Sequence, residues 1–369
     1  MNYFFTGKFI KKGILKTEIQ IESSANIKSG RRFGIIFSGL LLMVVIFLIL
    51  DVFFGSVTIK ASEVIKVFFT STHSNFETII LKFRLPKAIT ALTVGVGLSL
   101  SGLQMQTVFR NPMAGPYVLG ISSGASLGVA FVILGFSQNI SPESLNGLGN
   151  WILVAASWVG AGAVMLLIMI ISSKVKDIMT ILILGIMLSS GISAIVTIMQ
   201  YFSNETMLKA YVIWTMGSLG NLTVSQVNVL LISVSAGVIL SLFSSKMLNA
   251  LLLGENYASS IGLNVRFARV VIFVCTSILA GSVTAFCGPI GFIGIAVPHV
   301  ARILFKTSDH KVLIPGTILT GGAVMLLSDI ISQLPGSESV LPINAVTSLI
   351  GIPVVIWVIF RNRKYSGSF

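Results

Sequence analysis

Residues 84–125 read RLPKAITALTVGVGLSLSGLQMQTVFRNPMAGPYVLGISSGA, and the charged side chains in this stretch are Arg84, Lys87 and Arg110. The uncharged run between Lys87 and Arg110 has the length, about 20 mostly apolar residues, that a helix needs to cross a bilayer. A second uncharged run follows Arg110. We therefore expect two consecutive membrane-spanning helices, over residues 86–109 and 114–135.

The rest of the chain has the same apolar character. Its 369 residues are 54% hydrophobic and 10% charged, whereas soluble proteins average about 45–50% and about 25%. Lipid is therefore the expected solvent. Further apolar segments cover residues 34–54, 151–172, 178–200, 225–245, 268–287, 291–305, 311–331 and 343–360. The pattern predicts an all-α polytopic membrane protein with about ten transmembrane helices.

Basic residues predict the orientation. Residues 1–33 form a basic tail, and residues 34–369 form a single transmembrane domain. Lys and Arg collect in cytoplasmic loops, and the bias along the chain predicts that both termini are cytoplasmic. One outer loop, residues 55–87, breaks this pattern, because it carries a group of basic residues: Lys60, Lys66, Lys82, Arg84 and Lys87.

The net charge of +13 would suggest a nucleic-acid partner in a soluble protein. The sequence contains no aromatic-basic platform and no groove-reading motif, so we expect no nucleic-acid partner. Cys275 and Cys287 lie in or beside an apolar run without CxxC spacing, and we expect free thiols.

A group of polar residues follows the eighth apolar segment. His299 and Arg302 lie one helical turn apart, whereas Asp309 and His310 are adjacent and do not share a helix face. A metal site needs further ligands in a defined geometry. We therefore expect His299 and Arg302 to mark a helix end that reaches lipid headgroups or a cytosolic partner. We expect no metal, no cofactor and no catalytic residue.

The cores of the apolar segments carry no Asp, Glu, Lys or Arg, since Asp51 and Asp329 lie near segment ends. Secondary transporters usually place such groups near the membrane midplane. The chain also lacks the G-x-x-x-x-G-K-[ST] phosphate loop, so it does not bind ATP in that way. An ATP-independent secondary transporter or channel stays open as an alternative. A membrane-embedded enzyme would need clustered His, Glu or Asp at membrane depth.

Glycines in three segments predict how helices pack or where they are interrupted. Gly120, Gly124 and Gly128 recur at four-residue spacing, which allows close helix packing. The stretch GPIGFIGIAVP, residues 288–298, predicts an interrupted helix that is shielded by protein or lines a cavity. In residues 246–269, KMLNALLLGENYASSIGLNVRFAR, Gly254 and Gly262 predict short amphipathic helices. Such helices either dock a partner or lie on the membrane surface.

Several of these motifs, in this order, resemble those of FecCD-type permease subunits of bacterial ABC importers for iron–siderophore complexes, haem and cobalamin. They are residues 84–125, YFS (201–203), WTMGSLG (214–220), LGENYASSIGLNV (253–265), GPIGFIGIAVPHVAR (288–302) and DHKVLIP (309–315). The resemblance implies a fold like that of the cobalamin-importer permease, in a bacterial inner membrane. It also implies three kinds of partner: two cytosolic ATPase subunits, a second identical or similar permease, and an extracytoplasmic substrate-binding protein.

The resemblance also implies site residues. Those implied for docking the binding protein are Arg84 and Lys87. Those implied for coupling to the ATPases are Gly254, Glu255, Gly262, Leu263 and Arg266. Those implied for the pathway and its gate are Ile178, Met179, Gly288, Pro289 and Gly291.

Two positions depart from the cobalamin permease. Gln333 stands where that permease has a further docking arginine, which puts a third basic docking contact in doubt. Ile178 and Met179 stand where it has small hydroxyl residues, which suggests a bulkier gate.

Overall fold

The computed structural model describes residues 6–55, 59–69, 75–135, 148–175, 177–333 and 340–366, and the regular structure in these residues is helical. The α-helices, in chain order, are α1 (Thr6–Phe53), α2 (Ala61–Phe69), α3 (Asn75–Ile79), α4 (Leu85–Val108), α5 (Ile121–Ala130), α6 (Leu148–Lys174), α7 (Ile178–Tyr201), α8 (Glu205–Thr215), α9 (Val224–Phe243), α10 (Ser245–Leu252), α11 (Glu255–Ser260), α12 (Val265–Thr276), α13 (Ser282–Cys287), α14 (Ile293–Phe305), α15 (His310–Ser332) and α16 (Ile343–Ser366). Short π-helical segments at Ile80–Arg84 and Ser277–Gly281 join α3 to α4 and α12 to α13.

The predicted set of about ten apolar segments is confirmed. Seven helical segments in the described residues are long and apolar enough to cross a membrane, and three shorter apolar helices accompany them. The shorter ones are Ile121–Gly135, Ile293–Phe305 and Ile343–Val358. The expected span over residues 114–135 starts later than predicted, because a 3₁₀ turn, Pro116–Leu119, precedes α5. The sequence did not predict α8.

Helix α4 is the central helix of the bundle. It is the most buried of the long spans, and its neighbours include α15, α14 and α9. Backbones approach closely along it: a β-carbon on Gly102 would lie 1.7 Å from the carbonyl oxygen of Gly294, and one on Gly95 would lie 2.3 Å from that of Gly321. Small residues allow such contact, which is a main source of helix association in lipid.

The predicted glycine contact face is confirmed at two of its three positions. A β-carbon on Gly124 would lie 2.5 Å from the carbonyl oxygen of Gly160, and one on Gly128 would lie 2.0 Å from that of Ala156. These contacts join α5 to α6. Gly120 has another role, since it adopts a left-handed conformation with φ +75° between the 3₁₀ turn and α5.

The predicted interruption in residues 288–298 is also confirmed. α13 ends at Cys287 and is followed by Gly288, with φ +75°. α14 begins after Phe292, with φ +63°. Other parts of the chain bond to the backbone groups that the interruption leaves without helical partners. The Asn344 side chain accepts from the Gly291 amide at 3.0 Å, and the Cys287 carbonyl accepts from the Ser218 amide at 2.9 Å. This pairing makes irregular backbone tolerable at membrane depth.

Successive spans alternate in direction, so their ends form two sets. We call the end that holds residues 245–267 the arm end, and these residues the bent arm. The end that holds α8 and the last turn of α15 is the opposite end.

Candidate functional site

A buried polar group lies at the opposite end of the bundle. We call Asp51, Arg84, Lys87, Asp329 and Gln333 the carboxylate cluster. Asp51 is 2% exposed and Asp329 1%. The ends of α1 and α15 and the start of α4 bring these residues together from distant parts of the chain.

Each cation of the cluster is bound to the chain itself. The Lys87 ammonium lies 3.0 Å from Asp329 Oδ1. The Arg84 guanidinium donates to the carbonyl oxygens of Val52 at 3.0 Å and Phe53 at 2.8 Å. The predicted docking residues therefore lie side by side, but neither side chain extends freely from the surface.

Gln333 connects the two carboxylates. Its Nε2 donates to Asp51 Oδ1 at 2.7 Å and also lies 3.3 Å from Asp329 Oδ2. The other Asp51 oxygen, Oδ2, is buried without a hydrogen-bond partner among the described residues. Gln333 thus stabilises the two buried carboxylates.

Two crevices reach this cluster. One of about 330 Å³ is lined by Lys87 and Asp329 together with residues 217–221. Another of about 280 Å³ is lined by Arg84, Lys87 and Gln333. A ligand in either crevice would contact Lys87. The Lys87 side chain is 19% exposed, whereas the side chain of its partner Asp329 is 2% exposed.

A larger cavity of about 410 Å³ lies next to the helix interruption. Its wall includes Trp214, Ser218, Phe286 and Cys287. The predicted pathway residues Gly288, Pro289 and Gly291 follow this wall directly, in the interruption itself; Gly288 is buried and the other two are half-buried. Helix α8 contributes Ala210, Ile213 and Trp214 to the wall, so sequence reasoning missed an element of this region.

The bent arm lies at the arm end of the bundle, and its predicted division into short helices is confirmed. Gly254, with φ +105°, separates α10 from α11, and Gly262, with φ +88°, separates α11 from α12. Glycine adopts such angles at little cost. A group of exposed apolar side chains marks its surface: Leu253, Tyr257, Ile261 and Phe267.

The arm's predicted coupling residues differ in burial. Arg266 is exposed and Leu263 is half-buried. Glu255 forms a bidentate ion pair with Arg269, with Nη2–Oε2 at 2.5 Å and Nε–Oε1 at 2.8 Å. Sequence reasoning missed Arg269, because these partners lie 14 residues apart across the Gly262 turn.

The predicted gate residues Ile178 and Met179 form the first turn of α7. Asp177 caps this helix by accepting from the amides of Met179 at 3.2 Å and Thr180 at 2.9 Å. Hydrogen bonds from Thr180 and Met179, with a smaller effect of the nearby Arg269 cation, hold the pKa of Asp177 below its ordinary value. The first turn of α7 thus starts from an ionised cap beside Arg269.

The expectation that His299 and Arg302 reach headgroups or a partner is wrong. His299 is 6% exposed, and its Nε2 donates to the Pro112 carbonyl at 2.8 Å. Arg302 donates to Gln106 Oε1 on α4. Both side chains point into the bundle, because α14 packs against α4 and the turn that follows it.

Asp309 and His310 also have internal partners, and Asn249 of the bent arm connects them. Asn249 donates to Asp309 Oδ1 at 2.7 Å, and its carbonyl oxygen accepts from His310 Nδ1 at 2.7 Å. His310 Nε2 lies 2.9 Å from the hydroxyl of Thr107. Within the described residues, no group of three or more His, Cys, Asp or Glu side chains could hold a metal.

Known proteins that resemble this chain are membrane transport proteins. The sequence profile of the FecCD transport family matches residues 41–361. The hemin transport system permease protein HmuU of Yersinia pestis is 35% identical over 297 residues, which cover 80% of this chain and 87% of that protein. The vitamin B12 import system permease protein BtuC of Escherichia coli is 35% identical over 289 residues, which cover 78% and 85%.

A solved structure is similar over most of the chain. It is described as an inward-facing conformation of a metal-chelate type ABC transporter, and it matches with a TM-score of 0.77 at 28% identity. The match covers 88% of this chain and 99% of that chain.

Proposed function

Because this chain belongs to the FecCD transport family, we propose that it forms the membrane passage through which an ATP-binding-cassette importer moves an iron–siderophore complex into the cytoplasm. At a coarser level it is a permease subunit of an importer of the haem, cobalamin or metal-chelate type, and a multi-pass inner-membrane protein. It is a transporter subunit, and ATP hydrolysis belongs to a partner chain.

The observation that carries the proposal is the bent arm. It presents Leu253, Tyr257, Ile261 and Phe267 to the outside of the bundle, each at least half exposed. An exposed apolar group of this kind favours a protein interface. We assign it to the two ATPase subunits, one for each permease of a pair, with Gly254, Glu255, Gly262, Leu263 and Arg266 as coupling residues.

The orientation follows from this assignment. If ATPases bind the bent arm, the arm end is cytoplasmic, together with both chain termini. The carboxylate cluster then faces the extracytoplasmic side, where a substrate-binding protein delivers cargo.

We assign Arg84 and Lys87 to docking of that binding protein. A carboxylate of the binding protein that enters the 330 Å³ crevice would compete with Asp329 for Lys87. Docking in this form is an exchange of partners: Lys87 leaves an internal carboxylate and binds an external one. Such contacts add orientation and on-rate more than raw affinity.

The pathway would run beside α7 and the helix interruption. Ile178 and Met179 would form its cytoplasmic gate, and Gly288, Pro289 and Gly291 would lie along it. One face of α7 exposes apolar side chains, including Ile183, Met187 and Ile198. A second copy, or a similar permease, would cover part of this face and close the pathway from the other side.

One observation favours the alternative of an ATP-independent secondary transporter. Asp51 and Asp329 are buried carboxylates inside a membrane bundle, and such groups often mark ion or proton coupling. In our proposal their partners Lys87 and Gln333 make them structural.

Uptake by reconstituted vesicles tests the proposal. The permease is reconstituted with its co-purifying ATPases and binding protein, and is given a ferric hydroxamate siderophore, haemin or cyanocobalamin with internal or external ATP. We expect ATP-dependent accumulation of the ferric siderophore, with unlabelled siderophore competing more strongly than the other two. Accumulation of haemin or cobalamin alone would retain the importer and overturn the siderophore assignment.

A further inference from the structure

Arg269 is a buried cation that joins two parts of the molecule. It lies in the first turns of α12 with 3% of its surface exposed. On one side it forms the bidentate ion pair with Glu255, the first residue of α11 in the bent arm. Bidentate arginine–carboxylate pairs fix both distance and orientation.

On its other side Arg269 contacts the segment between α6 and α7. Its Nη1 donates to the Val175 carbonyl at 3.4 Å. Asp177 lies two residues further on, and the nearby guanidinium is the smallest of the effects that hold the pKa of its carboxyl below its ordinary value. Asp177 in turn caps α7, whose first residues are Ile178 and Met179.

We propose that Arg269 is the positioning residue that transmits movement of the bent arm to the start of α7. The proposal rests on the importer function assigned above and adds to it a specific connection between the arm and the gate. Glu255 cannot move far without disturbing the guanidinium, which also donates to the Val175 carbonyl in the segment that leads to the α7 cap. Arg269 touches neither cargo nor nucleotide and acts through the residues on either side.

Geometry explains why the connection can carry a displacement. Gly254 and Gly262 flank α11 with positive φ angles, so α11 can tilt as a short unit. α11 contacts the rest of the bundle through the fully buried Ala258, and the Glu255–Arg269 pair holds its first residue. Arg269 is fixed on α12, and leaving either partner of a buried ion pair without the other is strongly unfavourable. A tilt of α11 is therefore passed on to Arg269 and from there to the cap of α7.

Three variants distinguish a role of Arg269 in transmitting movement of the arm from a role in stabilising the fold. Arg269→Gln removes the connection. Asp177→Asn removes the charge facing Arg269 while keeping a good helix cap, since asparagine caps as well as aspartate. The reversed pair, Glu255→Arg with Arg269→Glu, restores an ion pair between α11 and α12 but replaces the cation near Asp177 with a carboxylate. Lys311→Gln is the matched control, because Lys311 is an exposed cation in the first turn of α15, outside the bent arm.

The experiment measures uptake of a ferric hydroxamate siderophore, ATP hydrolysis, ATPase co-purification and thermal stability in vesicles that hold the complete importer. If the wild type accumulates haemin or cyanocobalamin instead, that compound is the probe. We expect Arg269→Gln to lower uptake at least tenfold, and Asp177→Asn at least threefold, with ATP hydrolysis within twofold of wild type. The reversed pair should regain stability without regaining uptake. Lys311→Gln should match wild type.

A purely local role of the ion pair predicts something else, namely that the reversed pair restores uptake together with stability. That result, or wild-type uptake by Arg269→Gln or Asp177→Asn, would overturn the inference. A second measurement uses spin labels at Ser259→Cys, an exposed position on α11, and at Ile183→Cys on α7, since both native cysteines are buried. Nucleotide should move both labels in wild type but only the arm label in Arg269→Gln.

Failure of the proposed function would give a different result from failure of this inference. In that case wild-type vesicles would accumulate none of the three probes with ATP, whatever residue occupies position 269.

Discussion

Asp329→Asn should strengthen docking of the binding protein. In the wild type, an incoming carboxylate must displace Asp329 from Lys87, whose charged atoms are 3.0 Å apart. The substitution releases Lys87 from that charge and raises the local net charge by one unit. Because Lys87 borders open crevices, the relevant dielectric lies between those of water and a protein surface. Two unit charges 4 Å apart then interact by about 1–4 kcal/mol.

Side-chain freedom and salt reduce this gain, as they do for exposed ion pairs. We take the low end of this range, about 1 kcal/mol, which corresponds to roughly fivefold tighter binding. The assay is surface binding of the co-purifying binding protein to permease in nanodiscs, at two salt concentrations. The double variant Lys87→Gln with Asp329→Asn removes the whole pair and should bind more weakly than wild type, with a smaller salt dependence.

Lys82→Gln is the control, because Lys82 is an exposed cation close by in the chain; it should change affinity by less than twofold. If Asp329→Asn binds no more tightly than wild type, or if the double variant binds as well, the exchange of partners at Lys87 is refuted. Thermal unfolding of each variant separates a loss of docking from a loss of structure.

Three further predictions concern other parts of the molecule. Gly102→Ala should destabilise the protein by about 3 kcal/mol, the upper range for overpacking, because its β-carbon would meet the Gly294 carbonyl oxygen at 1.7 Å. Gly162→Ala in α6 has no neighbour within 4 Å and should unfold at or above the wild-type temperature, because alanine favours a helix over glycine; equal unfolding temperatures for the two variants would contradict the packing argument. Ile261→Asp should reduce co-purification of the ATPases at least tenfold, whereas Ile65→Asp, equally exposed on α2 at the opposite end, should not; retention by Ile261→Asp would exclude the arm from the interface. Double replacement of His299 and His310 by Gln should leave metal content by elemental analysis unchanged, because both imidazoles are already bonded within the protein, and loss of a stoichiometric metal would reverse that conclusion.

The sequence predicts the features that depend on local pattern. The spans follow from uncharged apolar runs, and the α5–α6 contact follows from Gly124 and Gly128. The interruption after Cys287 and the turns at Gly254 and Gly262 follow from glycine and proline spacing. These predictions succeed because bilayer thickness and backbone conformation act on neighbouring residues.

Features that depend on distant residues could not be predicted. The carboxylate cluster combines the end of α1, the start of α4 and the end of α15, and no spacing in the sequence pairs Asp51 with Gln333. The sequence predicts that His299 and Arg302 lie towards the end of a span, but it does not show which side of that helix is covered. α8 was missed because its 11 residues are too few for a span and their pattern is only weakly amphipathic.

Cargo accumulation by vesicles that contain this polypeptide alone tests the central claim most directly. Vesicles with the permease, and vesicles with permease, ATPases and binding protein, are compared under proton and sodium gradients and with ATP. We expect the permease alone to accumulate none of the ferric siderophore, haemin or cyanocobalamin under either gradient, and the complete assembly to accumulate one of them only with ATP. Concentrative uptake by the permease alone, driven by an ion gradient, would contradict the account and assign a coupling role to Asp51 and Asp329.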